Sequence, residues 1–138
     1  MASAAPLGCW ISEGGYAIQI RLKDPAGQPI TDEILVELDT GYSGDLLVPW
    51  DVYLEAELFG WELPEAEWKL GVMLSGQWVD MPQSEATLEI PRLNQAYPVR
   101  VDTFEANTEF LIGRNFLKNH RILLDGPGGQ VCFLPAGD

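Results

Sequence analysis

The sequence predicts an all-β domain, and three observations carry that prediction. Ten prolines and fourteen glycines are scattered between short apolar runs, the spacing of brief strands joined by turns. Several of those runs alternate apolar and polar residues, the period of a strand and not of a helix. The 138 residues are 46% hydrophobic and 10% aromatic, enough to bury one core but short for two. This composition excludes wholesale disorder and points to one domain over residues 1–138.

Residues 16–22 alternate, with Tyr16, Ile18, Ile20 and Leu22 on one face, and Asp24 to Gly27 turn the chain. Residues 33–38 form a second strand with Ile34, Val36 and Leu38 on one side, and it runs into Asp39-Thr40-Gly41. A short strand over 46–48 stops at Pro49. From 50 to 61, Trp50, Tyr53, Leu54, Leu58 and Trp61 recur at helical spacing, predicting a short core-covering helix stopped by Gly60. Residues 67–80 read as a hairpin turning at Ser75-Gly76, and 85–91 and 97–104 as two further strands. A buried strand over 109–112 ends at Gly113, a short C-terminal helix follows over 114–119, and strands over 121–125 and 130–134 close the domain around a Gly/Pro turn.

Eight Lys and Arg stand against 21 Asp and Glu, a formal charge of −13. Such a surface repels phosphate, so neither nucleic acid nor an anionic membrane is an expected partner. No apolar run reaches the length of a membrane span. The first seven residues have neither a basic nor a hydrophobic leader segment, so a cytoplasmic location is expected. Cys9 and Cys132 meet only if the terminal strands pair; we read them as reduced, buried thiols. Two cysteines and one histidine without ligand spacing predict no metal, and no cofactor motif is present. His120, after the second helix, reads as a helix-end or surface residue. With no nucleophile set beside it, serine and cysteine protease chemistry lacks support.

Asp39-Thr40-Gly41 is the most informative triplet. Alone it is an ordinary strand-to-turn exit. Its context adds weight: an apolar strand delivers the Asp, Leu46 to Pro49 follow, and a second signature, Leu111-Ile112-Gly113-Arg114-Asn115, comes late in the chain. Across roughly residues 15–134 these motifs, with the hairpin between them, resemble the retropepsin-like aspartic proteases, the single-lobe relatives of retroviral proteases. The closest resemblance is to the cellular and prokaryotic branch in which an aromatic residue follows the triplet.

The resemblance implies a retropepsin-like acid protease barrel, one lobe per chain. Only one triplet occurs, since Asp102-Thr103-Phe104 lacks the glycine, so it implies a homodimer with one Asp39 from each subunit. Asp39, Thr40 and Gly41 would form the catalytic loop, with the Thr40 hydroxyl bracing the two loops and the Gly41 N–H approaching the carboxylate. Ile112, Gly113 and Arg114 would support it. Ser75 and Gly76 would form the tip of a flap over a peptide or protein substrate held as an extended strand. Trp78 has two readings, packing on that substrate or ordinary strand packing. Two positions depart from the family pattern. Ser43 stands where retroviral members carry the acidic partner of the arginine, so Arg114 pairs with Asp45 or elsewhere. Tyr42 is large for its place, and is read as a ring that narrows the cleft, lines it as a substrate contact, or marks a protein that keeps the fold with little peptidase activity. A non-catalytic module of the same fold, binding extended peptides or assembling with itself, is the competing reading.

Overall fold

In the computed structural model, which describes residues 5–72 and 76–137, alternation in sequence becomes alternation in burial. In β2 (Ala17–Lys23), Ile18, Ile20 and Leu22 are fully buried while their neighbours are half-buried. The residues after Ile34 in β3 (Ile34–Asp39) send Val36 into the same core. The protein is mostly β. Strands β2 and β3 join β4 (Leu46–Leu47), β7 (Gln83–Ile90), β8 (Gln95–Asp102) and β9 (Leu111–Gly113) in a closed barrel of order β2-β3-β9-β4-β8-β7. Closure leaves those strands no open edge.

Two parallel pairings set the end of the barrel that carries Asp39. β3 runs beside β9 with Asp39 opposite Gly113, and β4 runs beside β8 with Leu47 opposite Asp102. β4 and β9 are antiparallel, Leu46 facing Ile112. The barrel interior is packed by Ile18, Ile20, Leu22, Leu46, Leu88, Ile90, Val101 and Ile112. Burying each such side chain contributes about 1.5–3 kcal/mol relative to exposure.

The expected hairpin is β5 (Lys69–Val72) paired with β6 (Trp78–Met81), Val72 opposite Trp78. β6 leads through Pro82 directly into β7. β7 and β8 each begin two residues before the expected strands.

Outside the barrel, β1 (Gly8–Ile11), β11 (Gln130–Leu134) and β10 (Arg121–Asp125) form a second sheet in that order. Its register corrects the reading of the cysteines. β1 and β11 are antiparallel with Cys9 directly opposite Cys132, and the two form a disulfide. The sequence stretch of β1 does not alternate, so the pairing that brings the cysteines together was not visible in it.

Two short α-helices are present among the described residues, one in each of the segments, 50–61 and 114–119, where the sequence predicts a helix, and each is shorter than its segment. α1 (Trp50–Glu55) ends before Gly60, because Glu57 takes a left-handed φ of 54° that α-helix cannot continue. A 3₁₀ turn, Leu58–Trp61, follows. Tyr53 and Leu58 are buried, but Leu54 and Trp61 are exposed, so only half of the helical stripe covers the core. α2 (Arg114–Leu117) is the short helix after β9, and buries Phe116 and Leu117. His120 is not a surface group: its half-buried ring packs on Tyr97, Phe116 and Phe133 at centroid distances of 5.1, 4.6 and 5.4 Å. Burial pushes its pKa below the ordinary imidazole value. No helix among the described residues is long and apolar enough to cross a membrane.

Candidate active site

The loop after β3 carries the predicted carboxylate. Asp39 is half-buried, and Thr40 and Gly41 are exposed. The Gly41 N–H donates to Asp39 Oδ1 at 2.8 Å, and the Tyr42 N–H donates to the Asp39 carbonyl at 3.2 Å. The carboxylate is therefore oriented by its own loop while keeping a solvent-facing side.

The loop is stitched to the β9–α2 junction by three backbone hydrogen bonds. Gly113 N–H donates to the Asp45 carbonyl at 2.9 Å, Arg114 N–H to Tyr42 at 2.7 Å, and Asn115 N–H to Gly44 at 3.1 Å. These amides lie where a helix start has no intrahelical partners, so loop and junction satisfy each other. Gly113 has to be glycine for the same reason. A Cβ there would run into the Gly44 carbonyl oxygen and stand 2.5 Å from the Tyr42 ring. Ile112, fully buried, pairs with Leu38 and Leu46 and anchors the junction in the core.

Arg114 supports the loop through its backbone alone. Its side chain is exposed and joins no ion pair among the described residues. Asp45 is held instead by Asn115, whose Nδ2 donates to Oδ1 at 2.7 Å, and by the Arg100 backbone N–H, which donates to Oδ2 at 3.0 Å.

Tyr42 does not stand free in a cleft. Its ring lies over Gly113 and Gly44, and its hydroxyl donates to Oδ2 of Asp102. Burial first, and then the Asp102 charge, raise the Tyr42 pKa far above the ordinary phenol value. Asp102 is completely buried at the end of β8. Its Oδ1 accepts from Gln83 Nε2 at 2.6 Å, directly across the β7–β8 ladder. Arg100 Nη1 in turn donates to Gln83 Oε1 at 3.4 Å. Sequence reasoning missed Asp102 and Gln83. The one available signal was the Asp-Thr pair at 102–103, set aside for want of a glycine.

Two recesses flank the loop. One, of about 360 Å3, is lined by Thr40 with Leu38, Tyr16, Leu117, Ile122 and Leu124. The other, about 470 Å3, is polar and lined by Ser43, Asp45, Glu67, Gln83, Arg100 and Asn115. At the hairpin, Gly76 has a left-handed φ of 86° and Trp78 is 65% exposed. Ser75 lies outside the described residues.

No protein-family model matches the chain. An uncharacterized protein of Archaeoglobus fulgidus is 28% identical over 115 residues, covering 81% of this chain and 88% of its own length.

Proposed function

We propose that the chain is one subunit of a homodimeric aspartic endopeptidase of the retropepsin-like class, acting on extended segments of peptide or protein. The observation that carries this reading is Asp39: a half-buried carboxylate at a strand end, aimed by the Gly41 N–H, on a loop braced by Gly113.

One such group is half of a catalytic pair. In the dimer, two Asp39 carboxylates at close range hold one proton between them, because both cannot ionise together. The ionised one accepts a proton from a bound water, whose oxygen attacks the scissile carbonyl carbon. The protonated one donates to the carbonyl oxygen. Collapse of the tetrahedral diol breaks the C–N bond, with a proton passing to the leaving nitrogen, and yields an acid and an amine. Exposed Thr40 beside an apolar recess that half-exposed Leu124 of β10 also lines supports a second copy covering this face. Exposed Trp78 on the hairpin supports a role in gripping substrate.

Two subunits together carry twice −13, a charge that opposes association. Mild acid and salt relieve it, so dimerisation and cleavage are expected to strengthen together. The test is peptide-library cleavage at several pH values by the wild type and Asp39→Asn, with sedimentation from about pH 4 to about pH 8. Cleavage lost in the variant supports the reading. Equal cleavage by both assigns activity elsewhere, and none by either favours the non-catalytic module. An invariant monomer removes the paired-acid mechanism.

A further inference from the structure

A fully buried carboxylate inside an apolar barrel is costly unless its oxygens are satisfied. Those of Asp102 are satisfied from two directions that matter. Oδ2 accepts from Tyr42, which lies three residues beyond Asp39 on the carboxylate loop. Oδ1 accepts from Gln83, two residues after Met81, where the hairpin strand β6 ends. The donors do not touch the same side of the chain by sequence: 60 residues separate Tyr42 from Asp102, and 19 separate Gln83 from it. Asp102 is thus a junction between the loop that presents Asp39 and the base of the hairpin.

The Tyr42 ring extends that junction. It covers Gly113 and Gly44, and the Tyr42 carbonyl accepts the Arg114 N–H at 2.7 Å. A shift of the phenol therefore moves both ends of the loop bracing. On the other side, the Gln83 carbonyl accepts the Leu63 N–H at 2.8 Å, so the segment after α1 rests on the same base. Hydrogen bonds to a charged acceptor are short, directional and about twice as strong as neutral ones, which suits them to fixing geometry.

We propose that Tyr42 is a positioning residue for Asp39, and that its hydroxyl, sharing the Asp102 carboxylate with Gln83, couples the setting of the Asp39 loop to the base of the substrate-covering hairpin. The inference rests on the peptidase reading for its catalytic consequence. The coupling is a property of the fold and is measured without substrate.

The test uses the full chain with Tyr42→Phe, which keeps the ring and removes the donor, and Gln83→Met, which leaves Tyr42 in place. In Tyr42→Phe, amide exchange at Gly41 and Arg114 is expected to speed by about tenfold or more, and exchange at Leu63 to rise with it. Gln83→Met is expected to speed exchange at Arg114, although the side-chain hydrogen bonds of Gln83 go to Asp102 and Arg100. If the wild type cleaves peptide and Asp39→Asn does not, Tyr42→Phe lowers kcat by about tenfold or more with KM little changed. If the wild type does not cleave, the peptidase reading falls, and the coupling is judged by exchange alone. Unchanged exchange at Arg114 in both variants overturns the coupling. An unchanged kcat in Tyr42→Phe, or a loss that merely tracks the unfolded fraction in a thermal melt, overturns the positioning role.

Discussion

Two barrel strands end in the same dipeptide, and the protein uses the two ends differently. Asp39-Thr40 closes β3 and Asp102-Thr103 closes β8, each strand lying in a parallel pair. At the first, glycine follows, the carboxylate receives the N–H of Gly41, and Thr40 is exposed. At the second, phenylalanine follows and both Asp102 and Thr103 are wholly buried. Tyr42 and Gln83 occupy that carboxylate, and the Thr103 hydroxyl donates to the Val48 carbonyl at 2.9 Å. The difference is one of remaining capacity. Asp39 keeps a partly exposed carboxylate that accepts the Gly41 N–H, whereas Asp102 is buried and bonded to Tyr42 and Gln83.

The sharpest break of this comparison is the same substitution at each end. Asp39→Asn should lower cleavage by at least about a thousandfold, as removal of an essential catalytic group does, and leave the melting temperature nearly unchanged. Asp102→Asn should do the reverse: it weakens the acceptor for two donors and costs about 1–3 kcal/mol of stability, with cleavage reduced but retained. Paired thermal melts and cleavage assays check both, and equal behaviour of the two variants would erase the distinction. A smaller break is Gly113→Ala. The added methyl meets backbone and the Tyr42 ring, so it should cost about 1–3 kcal/mol and disturb Asp39 through the register they share.

The barrel was legible where burial is one-sided. β2 is buried on alternate residues, so its period of two is plain in the sequence. At the end of β8, Val101, Asp102 and Thr103 are all buried. Alternation vanishes there, and nothing local marks the carboxylate as internal. What makes its burial tolerable lies at Tyr42 and Gln83, distant along the chain. The disulfide was hidden similarly, since Cys9 and Cys132 are 123 residues apart and meet only through the β1–β11 register. Asp39 was legible because its triplet is local. The role of Tyr42 was not, because a ring beside a carboxylate loop fits a cleft or an interior equally well until its partner is known.

Alkaline titration sharpens the contrast from the buried side. Tyr42 and Tyr53 both have pKa values raised by burial, the second aided by its 2.7 Å hydrogen bond to Glu62. Each is an acid whose neutral form the fold prefers. The unfolded chain therefore releases these protons first, so the stability they contribute is complete below the unfolded value of 10.0 and falls as pH rises above it. Each group adds a slope of about 1.4 kcal/mol per pH unit in that window. Tyr42→Phe should remove one such slope and soften the alkaline fall in denaturant midpoint, while Asp39→Asn should leave it unaltered.

The threonines give the smallest contrast. Thr103→Val keeps the shape, deletes the donor to Val48, and should cost about 1 kcal/mol. The Val48 carbonyl would still accept Asn107 Nδ2 at 2.7 Å, which limits the loss. Thr40→Val removes an exposed hydroxyl that makes no hydrogen bond among the described residues, and should change the stability of an isolated subunit by less than about 0.5 kcal/mol. Its effect should appear only in association, as a weaker dimer in sedimentation at mildly acid pH. A Thr40→Val chain that dimerises as wild type would place the second carboxylate's contact away from Thr40, and would leave the recess beside it without the occupant assigned here.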